Sequence, residues 1–165
     1  MQMEKTTREL EYKHNINGLN LKIGLVFITV VLVADQITKF WIINLIPIGF
    51  NLELLPILSF FLVYNTGISF SMLSEVDKVF LISMSVCVIF IVAWFGFRNA
   101  KTILSSAAYG AILGGAIGNV LDRILHGAVI DFIFFHYGTW SFAIFNLADS
   151  AISLGVIALF IDTCF

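Results

Sequence analysis

Two carboxylates, Asp131 and Asp149, stand on either side of a 17-residue connection, 132–148, and are the side chains whose type and spacing best suit chemistry. Asp131 is set between Val129, Ile130 and the run Phe132-Ile133-Phe134-Phe135, an apolar setting that desolvates a carboxylate and raises its pKa. If the two side chains meet, like-charge repulsion makes them share a proton and titrate as a pair. A shared proton suits peptide hydrolysis: the ionised carboxylate takes a proton from water while the protonated one hydrogen-bonds the scissile carbonyl. Asp35, Asn65, Asn119, Asp122, Arg123 and Asn146 are the further polar groups that could surround such a pair.

Each of these residues also has a structural reading. Asn146 followed by Asp149 fits a helix N-cap with an acidic residue at the third helical position, where a carboxylate suits the helix dipole. Asp122 beside Arg123 reads as an interfacial ion pair that ends a helix, and Asp35 as a hydrogen-bond acceptor for a neighbouring helix end. Gly110, Gly114 and Gly118 recur every fourth residue, the spacing that lets helix backbones approach closely. His126 and His136 occur without a second metal-binding motif, so no zinc site is expected, nor any other metal or cofactor. Gly67-Ile68-Ser69-Phe70-Ser71 resembles a serine-nucleophile turn only superficially, and Ser74 with Lys78 reads as a solvated loop because Glu75 and Asp77 flank it.

The elements that must position these groups lie in a bilayer. Of 165 residues 59% are hydrophobic and 12% charged, with mean hydropathy +0.98, whereas a soluble surface needs about a quarter charged. The net charge of −2 and scattered basic residues exclude a nucleic-acid partner, and Cys87 and Cys164 do not form a disulfide framework. A spanning helix needs about 20 apolar residues, and four runs qualify: about 23–41, 79–97, 102–121 and 147–163. The apolar stretch between the first two carries Pro47, Gly49, Pro56 and Gly67, which would leave backbone groups unsatisfied in lipid. It is expected as a small β-rich element at the membrane surface, about residues 43–74. The fold class is therefore a membrane α-helical four-helix bundle with a small extracytoplasmic β-rich element. Residues 1–20 form a polar tail and 21–165 a single membrane domain.

Lys5, Arg8, Lys13, Lys22, Arg98 and Lys101 fall on one side of the spans, and only Lys39, Lys78 and Arg123 on the other. The positive-inside rule then makes both termini cytoplasmic. Every candidate polar group arrives at the outer end, and the connection from His126 to Trp140 is expected to close over it as a loop. A proton relay for transport would need polar groups along the membrane depth, which spans two and four lack.

The runs Asp35-Gln36-Ile37-Thr38-Lys39, Tyr64-Asn65-Thr66-Gly67 with Phe70-Ser71, Gly114 to Arg123, Gly127 to Phe132 and Phe145 to Ser150 resemble, in order, the sequence boxes of bacterial lipoprotein signal peptidase, or signal peptidase II. The resemblance implies an aspartic endopeptidase of the bacterial cytoplasmic (inner) membrane. Such an enzyme removes signal peptides from diacylglyceryl-modified prolipoproteins, cutting just before the lipidated cysteine at the outer face. It implies Asp131 and Asp149 as the catalytic pair, with Asn65, Asn119, Arg123 and Asn146 lining the site and Asp35 supporting it. Membrane lipids, prolipoprotein substrates and the inhibitor globomycin are the implied partners of a monomer without cofactors. Ile68-Ser69 stands where relatives commonly carry two alanines, and the chain lacks the basic tail often found after the fourth span.

Overall fold

The computed structural model describes residues 2–67 and 77–164. Helix α1 (Gln2–Leu45) runs until Pro47 disfavours helical backbone in the residue before it. Strands β1 (Asn51–Leu55) and β2 (Leu58–Asn65) follow, then helices α2 (Lys78–Asn99) and α3 (Ile103–His126), strands β3 (Val129–Tyr137) and β4 (Trp140–Ser141), and helix α4 (Leu147–Cys164). All four helices contain stretches long and apolar enough to cross a membrane: Gly18–Leu45, Lys78–Gly96, Ile103–His126 and Leu147–Cys164.

Local signals set the helix ends. The Asp77 carboxylate accepts from the Val79 and Phe80 amides at the start of α2, satisfying donors that a helix leaves free. Thr102 and Ser105 form a capping box at the start of α3. Gly127, at φ 79°, ends α3 in the left-handed conformation that a side chain would strain.

Helix α3 is central. It packs on α1, α2 and α4, most of its span is buried, and the other helices present most of their surface outward. The glycines permit this. A Cβ on Gly110 would lie 2.5 Å from the Gly24 carbonyl oxygen and one on Gly114 2.8 Å from that of Ile28, so this stripe seats α1. Gly115 serves α4 in the same way, 2.5 Å from the Ala148 carbonyl oxygen.

The strands form one antiparallel sheet in the order β1-β2-β3-β4, with β2 bulged opposite β3 between Phe60 and Val63. Ile42 and Ile46 at the end of α1 pack with Leu62, Ile130 and Phe132 and fix the sheet to the bundle.

Three details differ from the sequence expectation. Helix α1 continues to Leu45, so the β-rich segment expected from about 43 begins as strand at Asn51; Ile42 and Ile46 are held in the core rather than released to the surface. Helix α3 continues past Leu121 to His126, because Asp122 and Arg123 find partners inside the protein and need not leave for water. The connection expected as a loop from His126 to Trp140 is mostly strand β3, whose alternating apolar residues pair with β2 across Val63–Asp131 and Asn65–Val129. Residues 68–71 of the serine-like turn and Ser74 lie outside the described residues.

Candidate active site

Asp131 and Asp149 arrive from different kinds of element. Asp131 is on β3 opposite Val63, and Asn65, two residues along β2, is its diagonal neighbour on the same face. The Asn65 amide donates to Asp131 Oδ2 at 2.9 Å, and the Asn146 amide donates to Oδ1 at 2.7 Å. Burial pushes the Asp131 carboxyl from its ordinary 3.8 up to about 6; the Asn65 and Asn146 amides and Lys39 oppose the rise, and the nearby charge of Asp149 adds to it.

Asp149 sits in the first turn of α4. Its backbone amide donates to Asn146 Oδ1 at 2.9 Å, and the Asn146 backbone amide returns a bond to Asp149 Oδ2 at 3.3 Å. The N-cap expected from the sequence is therefore present, and its second role is equally visible. Oδ1 of Asp149 is left for the Asn119 amide, which donates to it at 2.8 Å. Asn146 thus holds both carboxylates at once, Asp131 by its side chain and Asp149 by its backbone.

Both carboxylates line one cavity of about 400 Å³ with Asn65, Asn119 and Arg123 at its polar part. Its other walls are largely apolar, from Leu81, Met84 and Val88 of α2, Ala116 of α3, Ile152 of α4 and residues 142–145, with Ser85 of α2 among them. Arg123 donates to the carbonyl oxygens of Gly67 (3.0 Å) and Asn119 (3.4 Å). Its buried Nε has no hydrogen-bond partner among the described residues. The ion pair with Asp122 read from their adjacency does not form the helix end: successive helical residues point about 100° apart, and Asp122 turns inward to Lys39 at 2.6 Å.

Asp35 is fully buried beneath this site. Its Oδ1 accepts the Ala148 backbone amide at 3.0 Å, so it does bind the start of a neighbouring helix, α4. Its Oδ2 pairs with Lys39 at 2.8 Å.

Residues 27–165 match the family model described as Signal peptidase (SPase) II. The chain belongs to the signal peptidase II family. A lipoprotein signal peptidase of Sinorhizobium fredii is 42% identical over 137 residues, 82% of each chain. One of Brucella ovis is 38% identical over 133 residues, 80% of this chain and 83% of that protein. Among solved structures, a bacterial membrane enzyme determined by the in meso method superposes with a TM-score of 0.78 at 29% identity, covering 86% of this chain and 87% of that one. A second has a TM-score of 0.76 at 30% identity, covering 85% and 91%. This signal peptidase II is a multi-pass membrane hydrolase of the aspartic-peptidase type.

The expected residues fall into two layers of one site. Asn65, Asn119, Arg123, Asp131 and Asp149 line the cavity, Asn146 joins the carboxylates from behind, and Asp35 lies a further step away. Sequence reasoning placed Lys39 among the outer surface charges, but it is 1% exposed and sits between Asp35 and Asp122. Gln36 joins the same cluster, donating to Asp122 Oδ1 at 3.0 Å. The signal for Lys39 was its spacing of four residues from Asp35, which puts both on one helix face.

Proposed function

We propose that this signal peptidase II removes signal peptides from diacylglyceryl-modified prolipoproteins, cleaving just before the lipidated cysteine, with Asp131 and Asp149 as its catalytic pair. The observation that carries the assignment is their convergence on one cavity whose polar end holds both carboxylates and whose remaining walls are largely apolar. A substrate anchored in the bilayer by a signal helix and acyl chains needs that pairing of surfaces.

Asp131, with its raised pKa, carries the shared proton, and Asp149 acts as base. Asp149 takes a proton from water as the water oxygen attacks the scissile carbonyl carbon, and Asp131 passes its proton to the carbonyl oxygen. Collapse of the tetrahedral adduct breaks the C–N bond; Asp149 protonates the departing nitrogen and Asp131 recovers its proton. Arg123 cannot serve as a base because it stays charged; its guanidinium lines the cavity and is a donor for a substrate carbonyl. Asn65 and Asn119 hold the carboxylates at their distances and complete the polar wall.

The distribution of basic residues supports cytoplasmic termini and a site facing the outer leaflet of the bacterial inner membrane. The sheet then lies over the site with Trp140, Tyr137 and Phe135 exposed at the depth where aromatic residues favour the interface. The enzyme works as a monomer among membrane lipids, and globomycin inhibits it. Incubating the purified protein in detergent with a diacylglyceryl-modified prolipoprotein tests the reading: a shortened product that globomycin suppresses is expected, and well-folded protein that yields none refutes it.

A further inference from the structure

We infer that Lys39 is a positioning residue for Asp149, acting through the side-chain amide of Asn119. The inference rests on the assignment of Asp149 to the catalytic pair.

Lys39 is almost completely buried and is not among the residues lining the cavity, so it does not touch substrate. Its ammonium has three N–H donors and no acceptor, and each donor has a partner: Asp122 Oδ2 at 2.6 Å, Asp35 Oδ2 at 2.8 Å and Asn119 Oδ1 at 3.1 Å. The two carboxylates fix where the ammonium sits. The third bond sets which way the Asn119 amide faces, because a flipped amide would put its NH2 against the ammonium, donor to donor. With Oδ1 held by Lys39, the NH2 group must face Asp149, to which it donates at 2.8 Å. A flipped amide would instead present oxygen to carboxylate oxygen and push Asp149 away from its place.

Asn119 Oδ1 has a second donor, Asn146 Nδ2 at 3.2 Å. Losing Lys39 therefore loosens the amide without releasing it. The expected loss is partial and confined to the chemical step, since the apolar cavity walls that hold substrate are untouched.

Removing Lys39 alone strands two buried carboxylates, a large penalty unrelated to positioning. The discriminating experiment therefore uses the full-length Asp122→Asn protein as background, where removing Lys39 leaves the cluster with the same net charge of about −1 that the wild type carries by formal count. Lys39→Met, Asn119→Ala and the two together are compared in detergent on a diacylglyceryl-modified prolipoprotein. Lys39→Met is expected to lower kcat by about 10-fold, the scale on which supporting partners of reactive groups act, with KM within about 2-fold. Asn119→Ala should lower kcat at least as far, and adding Lys39→Met to it should lower kcat no further, the mark of residues acting in series. Unchanged kcat, losses that multiply, or a change in KM alone would each overturn the inference. So would failure of the Lys39→Met protein to fold in this background, which makes the residue purely structural. Asp149→Asn is run alongside: near wild-type turnover there removes the catalytic pair itself, whereas an inactive Asp149→Asn beside an unaffected Lys39→Met removes only the role of Lys39.

Discussion

Asp131→Asn should abolish turnover yet make the protein more stable at alkaline pH. The wild-type carboxyl is raised from 3.8 to about 6 by burial, so ionising it in the folded protein costs about 3 kcal/mol, at about 1.4 kcal/mol per pKa unit. The sign follows from linkage. A carboxyl raised on folding contributes its full stability below pH 3.8, and that contribution is lost as pH rises through about 6. The amide has no such slope, but it offers one oxygen where the carboxylate accepts from both Asn65 and Asn146. One donor is left facing another, at a pH-independent cost of about 1–2 kcal/mol. The variant should therefore be less stable than the wild type by about 1–2 kcal/mol at pH 4 and more stable by a similar amount at pH 8. For a chain of this size that is a crossover of several degrees in Tm, with about 2–4 °C per kcal/mol. Thermal unfolding of both proteins in the same detergent at the two pH values measures it, with turnover recorded in parallel. A Tm difference that is the same at pH 4 and pH 8 would refute the buried, proton-carrying Asp131.

Asp149→Asn should likewise abolish cleavage; because the change also disturbs the return bond to the Asn146 amide, it should lower stability by about 1 kcal/mol, read by denaturant unfolding. Arg123→Ala should reduce kcat/KM by at least about 10-fold if its guanidinium, which lines the cavity, meets a substrate carbonyl in the transition state, and unchanged kinetics would confine it to tying α3 to Gly67. Gly115→Val forces branched carbon against the Ala148 carbonyl, one residue before Asp149. It should destabilise by about 1–3 kcal/mol and lose activity even where the protein remains folded, as judged by circular dichroism and turnover.

How far the site could be read from the sequence depended on what each residue's neighbours in the chain disclose. Asp131 amid aliphatic and aromatic residues announces a buried carboxyl, and Asn146 with Asp149 announces a helix start; both are local signals, and both are present in the structure. The β2–β3 pairing is not local, since Asn65 and Asp131 are 66 residues apart. An apolar run that leaves and re-enters one face reads equally well as loop or strand until its partner strand is known. Lys39 escaped for a related reason. A lysine near the end of a span normally carries its charge out to water, and its pairing with both Asp35 and Asp122, the latter approaching from α3, makes burial tolerable. The inward turn of Asp122 in turn explains why α3 outlasts its expected end.

The same buried charges couple the bundle to the chemistry. Asp35 caps α4 through Ala148, one residue before Asp149. Asp122 accepts the Ile130 backbone amide at 3.2 Å, one residue before Asp131. Lys39 joins those two carboxylates, so a single ammonium on α1 links the supports of both members of the proposed catalytic pair. The apolar walls of the cavity come mainly from α2 and from residues 142–145, with Ala116 of α3 and Ile152 of α4, and α2 and α4 make little contact with each other. Through these supports Asp131 and Asp149 are tied to α1 and α3, whose contact is closed by Gly110, Gly114 and Gly118, so the geometry of the site rests on a pair of closely packed helices.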